Sequence, residues 1–259
     1  MKQEDIKITP KWSKSKDDIW NEIFDELEVI QPSMPVRRIS FWKYSVAAVI
    51  LILLTGTITA RFYSASEVAA RGTHVSAMLP DGSKVILNAE SKLTYYPYWW
   101  YFSRSVTLDG EAYFEVKSGE KFSVKSNKNE VNVLGTSFTV FSRMEKYSVT
   151  CLTGKVKVFT DEEVSILNPN MRLTYLDKKI SVEKNIDEVQ STGWIKNKFV
   201  FVSLPLVDVI SEIERQYNIN IIADKELNYF YTGNFVKTDN PDEVLEIIGK
   251  PFGIKFSIK

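Results

Sequence analysis

The sequence predicts one membrane-crossing helix, then a mainly β body, then a small α+β domain of βαββαβ order. Three patterns carry this expectation. An uncharged apolar run, "YSVAAVILILLTGTITA" (Tyr44 to Ala60), divides a charged head from a long remainder. From Thr73 to Tyr175 short apolar segments alternate with polar residues and break at turn residues. Beyond Lys198 helical spacing returns between brief apolar strands.

Bulk composition narrows the function classes. The 259 residues are 44% hydrophobic and 25% charged with a formal net charge of zero, which argues against a direct nucleic-acid binder. The single cysteine, Cys151, has no intramolecular disulfide partner, and the single histidine, His74, leaves metal and acid–base constellations almost unpopulated. No catalytic residue, metal site or cofactor is therefore expected.

In the head, residues 1–43, the stretch "KSKDDIWNEIFDELEVI" sets Ile19, Trp20, Ile23, Phe24 and Leu27 on one helical stripe. Asp17, Asp18, Glu22, Asp25, Glu26 and Glu28 fill the rest of the surface. So short a helix is marginal alone in water, and its stripe calls for an apolar partner. Packing on a membrane surface is the alternative, disfavoured by the acidic residues.

The run 44–60 would span ~26 Å as a helix, and the flanking aromatics Trp42, Tyr44, Phe62 and Tyr63 suit the two headgroup regions. A cleaved signal peptide would follow a shorter leader. A soluble core helix would show a polar stripe, and here the polar residues are small hydroxyls. Gly56 stands alone, so no GxxxG face is present. Arg37, Arg38 and Lys43 before the span against Arg61 and Arg71 after it place the head in the cytoplasm and the body in the periplasm or outside.

The β body reads as a sandwich, barrel or roll. Pro80-Asp81-Gly82 and Asp109-Gly110 are expected hairpin turns, and Gly135, Gly154 and Asn170 further breaks. No phosphate-loop pattern occurs. After a linking segment around 186–198, "FVFV" reads as a strand, Ser203 as a helix cap and Pro205 as a first-turn residue. Asn240-Pro241-Asp242-Glu243 begins a second helix. Val209, Ile210, Ile213, Tyr217, Ile219 and Ile221 have apolar counterparts 35 positions on, at Val244, Leu245, Ile248, Phe252, Ile254 and Phe256. That offset predicts a duplicated helix–strand unit, with its strands in one layer and its helices on one face.

Candidate chemistry is sparse. Glu111 and Glu115 share one side of a strand without an acid–base partner, and His74 has no nucleophile context. Cys151 reads as a small buried hydrophobe. Tyr95, Tyr96, Tyr98, Trp99, Trp100 and Tyr101 are either a sugar- or protein-binding patch or core with loop cover.

Four motifs in order, "MLPDGSKVILNAESKLTYYP", "RSVTLDGEAYFEV", "VNVLGTSFTV" and "VTCLTGKVKV", resemble the FecR family of transmembrane anti-sigma factors. The block from "FVFVSLPLVDVISEIERQYNINI" to "GIKFSI" is similar to the small domain ending many such proteins, itself like the short N-terminal domain of secretins and TonB-dependent transducers. The resemblance implies a periplasmic β-domain over 72–180, sandwich or β-roll and solenoid-like, a linker over 181–198 and a C-terminal domain over 199–259. It further implies an inner-membrane protein that relays a signal from a TonB-dependent outer-membrane receptor to an ECF-type sigma factor. Ile19, Trp20, Ile23, Phe24 and Leu27 would then hold the sigma factor, and a regulated protease would be a further partner. The head is shorter than in family members, Asn170 replaces a favoured glycine, and "YPYWWYFSRSV" is unusually aromatic. The rival classes are an envelope scaffold and a carbohydrate-binding module, neither of which needs a sigma factor.

Overall fold

The computed structural model describes residue 11, residues 13–28 and residues 41–259. Arg37 and Arg38, on which the expected orientation rests, lie outside the described residues, as does the side chain of Lys43.

The first helix, α1 (Lys16–Glu28), starts at a reciprocal cap. The Asp18 N–H donates to Ser15 Oγ and the Ser15 N–H to Asp18 Oδ2, each at 3.2 Å. The second, α2 (Phe41–Phe62), extends the apolar run at both ends to 22 residues, about 33 Å of helix. It is the one candidate membrane span among the described residues, over Tyr44–Phe62, and none of that stretch is buried by protein. Its hydroxyls are satisfied locally. Ser45 donates to the Phe41 carbonyl (3.1 Å), Thr57 to Leu53 (2.7 Å) and Thr59 to Thr55 (2.8 Å), so no bare hydroxyl faces outward from these positions.

The body begins directly after α2. Its strands are β1 (Ala65–Ala69), β2 (Val75–Met78), β3 (Lys84–Leu87), β4 (Ser91–Tyr95), β5 (Arg104–Glu115), β6 (Phe122–Ser126), β7 (Asn129–Val133) and β8 (Ser137–Arg143). They continue with β9 (Lys146–Cys151), β10 (Val156–Phe159), β11 (Val164–Leu167), β12 (Met171–Leu176) and β13 (Lys179–Lys184). Two strand orders cross at β5, namely β1-β4-β5-β6-β7-β10-β11 and β2-β3-β5-β8-β9-β12-β13. All pairings are antiparallel except β5 with β6. Alternate residues of β5 (Val106, Leu108, Ala112, Phe114) are buried, and the Phe114 ring stacks on Phe138 at 5.0 Å. Burying each such ring contributes about 2–3 kcal/mol.

Three local expectations meet the tertiary structure differently. Pro80-Asp81-Gly82 does turn the β2–β3 hairpin: Gly82 has φ 78°, and its N–H donates to the Leu79 carbonyl at 2.8 Å. Asn170, at an expected break, has φ 63°, the left-handed conformation that asparagine tolerates in place of glycine. Asp109-Gly110, in contrast, is no hairpin turn. The strand runs straight through it, pairing with β4 and β6 before Gly110 and with β3 and β8 from Gly110 onward. Gly110 has φ 104°, and a Cβ there would lie 2.8 Å from the Ser91 Cα. The glycine lets one strand change sheets.

After the body come a short helix, α3 (Val189–Thr192), and a 3₁₀ turn (Gly193–Lys196). The last elements are β14 (Lys198–Pro205), α4 (Leu206–Tyr217), β15 (Ile221–Ala223), β16 (Phe230–Val236), α5 (Pro241–Gly249) and β17 (Phe256–Ile258). Their strands do not join in one layer: β14 pairs with β16, and β15 with β17, as separate two-stranded ladders. Both registers obey the 35-residue offset. Lys198 faces Val236 and Phe201 faces Gly233; Ile221 faces Ile258 and Ala223 faces Phe256. Before the bulge in β14 and throughout β15, each residue thus meets the 35-position counterpart of itself or of another residue on its own strand, the register that a two-fold relation between repeats produces. Val209, Ile210 and Ile213 of α4 share a core with Val244, Leu245 and Ile248 of α5.

Asn240 caps α5, accepting from the Asp242 N–H at 3.1 Å. Ser203 caps nothing. It sits with φ 48° in a bulge of β14, its N–H donating to Thr232 Oγ1 at 2.9 Å, and Pro205 occupies the cap of α4. The β14–β16 ladder continues past Ser203 and delays the helix.

Candidate functional site

Two side-chain arrangements stand out among the described residues, an exposed apolar ridge on α1 and an enclosed polar network within the body. On α1 the rings of Trp20 and Phe24, one turn apart, lie 5.9 Å between centroids. Trp20 is 51% exposed, Phe24 59% and Ile23 43%, with Ile19 half-buried. Leu27 continues the stripe in sequence, and its side chain lies outside the described residues. Asp17 and Asp18 line the first turn, where the helix dipole favours anions. An apolar ridge bordered by carboxylates is suited to a groove with a basic rim.

The second is a polar junction where α4 meets the β body, and sequence reading missed it. Gln216, 2% exposed, donates from Nε2 to Asn88 Oδ1 at 2.6 Å and to Glu212 Oε1 at 2.9 Å. Its Oε1 lies 3.1 Å from His74 Nε2. Asn88 Nδ2 donates in turn to Glu111 Oε2 at 2.7 Å. Backbone and charge contacts frame this core: Gly72 N–H to the Arg215 carbonyl (2.7 Å), Arg71 Nη2 to the Ile219 carbonyl (3.0 Å), and Lys146 Nζ to Asp208 (3.4 Å). Arg215 pairs with Glu212 at 2.7 Å, both side chains largely enclosed.

Enclosure decides the ionisation here. Burial, reinforced by the neighbouring Glu212 carboxylate, raises Glu111 to about 7. Burial also lowers His74, outweighing its hydrogen bond with Gln216, with Lys237 adding to the effect. Glu111 and Glu115 do not act as a pair: Glu111 enters the junction and Glu115 is exposed. The sequence signal that could have found this site is a carboxamide, Gln216, on the apolar spacing of α4.

Elsewhere the candidates resolve simply. Cys151 is fully buried, and burial pushes its thiol up to about 11, as for a packing residue. Of the aromatic set, Trp100 is buried and Tyr95 packs on the core, while Tyr98 and Tyr101 are exposed. Among the described residues no group of three or more His, Cys, Asp or Glu is placed to hold a metal ion.

Comparison with known proteins gives two family matches. Residues 65–157 match the model described as FecR protein, and residues 198–259 the model described as FecR, C-terminal. The fold is similar to two crystal structures, at 2.50 Å and 1.65 Å, of a protein from Parabacteroides distasonis ATCC 8503 assigned as an anti-sigma factor. The first is 29% identical with a TM-score of 0.70, the second 30% identical with a TM-score of 0.69. Each alignment covers 74% of this chain and 93% of the other. No curated protein matches the chain.

Proposed function

Because this chain belongs to the FecR family of anti-sigma factors, we propose that its N-terminal tail holds an ECF-type sigma factor in the cytoplasm while its body reads a receptor in the periplasm. The observation that carries the tail assignment is the exposed ridge of Trp20, Ile23 and Phe24 on a helix otherwise acidic. A sigma factor presents basic, DNA-contacting surface, and α1 offers carboxylates and an apolar ridge together. The tail over 1–43, the span over 44–60 and the body beyond it would occupy different compartments, with α2 anchored in the inner membrane.

The periplasmic partner is the signalling domain of a TonB-dependent outer-membrane receptor. The ladders of the C-terminal domain leave strand edges unpaired, and strand addition there is one way to engage it. Engagement at α4 would strain the junction of Asn88, Glu111 and Gln216 and so reach the body. No two-state element is evident in α2, so release of the tail by a regulated protease accounts for signalling better than a piston. The reading needs no catalytic step by this chain.

The test uses the full chain in native membranes, with Trp20→Ala and Phe24→Ala combined. Aromatic anchors of this kind contribute about 2 kcal/mol each, so affinity for the sigma factor should fall roughly a thousandfold. Co-purification of a sigma factor undiminished by both substitutions would overturn the tail assignment.

A further inference from the structure

Tyr96 to Phe102 form a loop between β4 and β5, with one 3₁₀ turn over Pro97–Trp99. Tyr98 is 67% exposed, Tyr101 89% and Phe102 70%. Three large rings so close together and turned outward are more than a water-facing loop ordinarily carries.

The loop's location supplies the reason. The Arg61 guanidinium, in the last turn of α2, lies 5.3 Å from the Trp99 ring centroid and 5.7 Å from that of Tyr96. The Tyr63 ring lies 5.1 Å from that of Tyr98. β1 starts at Ala65, two residues beyond Tyr63, and pairs there with Tyr95, the residue that leads into the loop. The ladder therefore holds the loop beside the point where α2 ends.

We propose that this loop is a second membrane contact, resting its exposed aromatic rings in the headgroup region of the same bilayer that α2 crosses. The proposal rests on the reading of α2 as a membrane span. Tyrosine rings suit this layer, their apolar body meeting lipid and their polar tip meeting water, and the wholly apolar ring of Phe102 suits the acyl boundary beneath it. From Tyr95 to Leu108 the chain has no acidic residue to oppose anionic lipids, and Arg61 supplies a cation at the same level. The contact is continuous with the span through Arg61 and Tyr63, which favours lipid over a sugar or protein ligand. A second point of attachment fixes the tilt of the β body on the membrane.

The experiment places a nitroxide on the full chain in phosphatidylcholine–phosphatidylglycerol vesicles, by Tyr101→Cys, Phe102→Cys, Leu53→Cys or Met144→Cys. Depth is read from collision with oxygen against a water-soluble nickel complex. The unsubstituted chain, whose Cys151 is buried, is the labelling blank. Labels at 101 and 102 should lie about 5–10 Å below the headgroup surface, with 53 deeper and 144 in water. If 101 and 102 match 144 while 53 stays deep, the loop contact is wrong and the span stands. If 53 is also in water, both fall.

Discussion

Glu111→Gln should stabilise the protein above neutral pH and do little below pH 5. In the folded chain, burial and the Glu212 carboxylate lift Glu111 from 4.5 to about 7. Between those values the folded state keeps a proton that the unfolded state has released, so stability falls as pH rises and levels off above about 7. At about 1.4 kcal/mol per pH unit the ionised carboxylate costs at most about 3 kcal/mol. A glutamine carries no charge, and its amide oxygen still accepts from Asn88 Nδ2, now at 2.7 Å from the carboxylate. His74 works in the opposite direction. Its depressed ionisation removes stability as pH falls below 6.5, in wild type and variant alike, so the difference between the two isolates Glu111. Thermal unfolding of the full chain in nanodiscs, followed by tryptophan emission, should give a melting temperature up to roughly 6–12 °C higher for the variant at pH 8 and nearly equal values at pH 5. Parallel pH profiles, or a variant less stable at pH 8, would refute the assignment of an enclosed, charge-penalised carboxylate at the junction.

Gln216→Ala removes the contacts to Asn88, Glu212 and His74 together and should cost about 2–4 kcal/mol, lowering the urea midpoint of the full chain; an unchanged midpoint would count against the network. Gly110→Ala sets a side chain on a backbone with φ 104° and against the Ser91 backbone, and should cost about 3–5 kcal/mol in the same measurement. Ser91→Gly should recover only part of that loss, because the backbone strain at position 110 remains.

How much of this was legible beforehand depended on the range of the interactions. α2 was plain because the absence of charge from Tyr44 to Ala60 is a local property. The Asn240 cap and the left-handed Asn170 were plain for the same reason, each being set by a side chain and its nearest backbone groups. Asp109-Gly110 misled because a glycine with positive φ serves a chain reversal and a sheet change equally well. Ser203 misled because a ladder to β16, far along the chain, outcompeted its local capping role. The polar junction escaped detection altogether. Its members, His74, Asn88, Glu111, Glu212 and Gln216, come from distant stretches of the chain, and Gln216 alone, on the apolar spacing of α4, carried a local sign of burial.

The amino-acid order alone settled that an uncharged apolar run divides the chain, that β patterning follows it, and that a helix–strand unit recurs 35 positions on. Those features rest on hydrophobic periodicity and local backbone preference, which act within a few residues. Only the tertiary structure decided that β5 serves two sheets, that the repeats pair as separate ladders, and that Glu111 is linked through Asn88 to Gln216 of α4. These depend on which distant groups lose contact with water together, and desolvation is a property of the assembled chain.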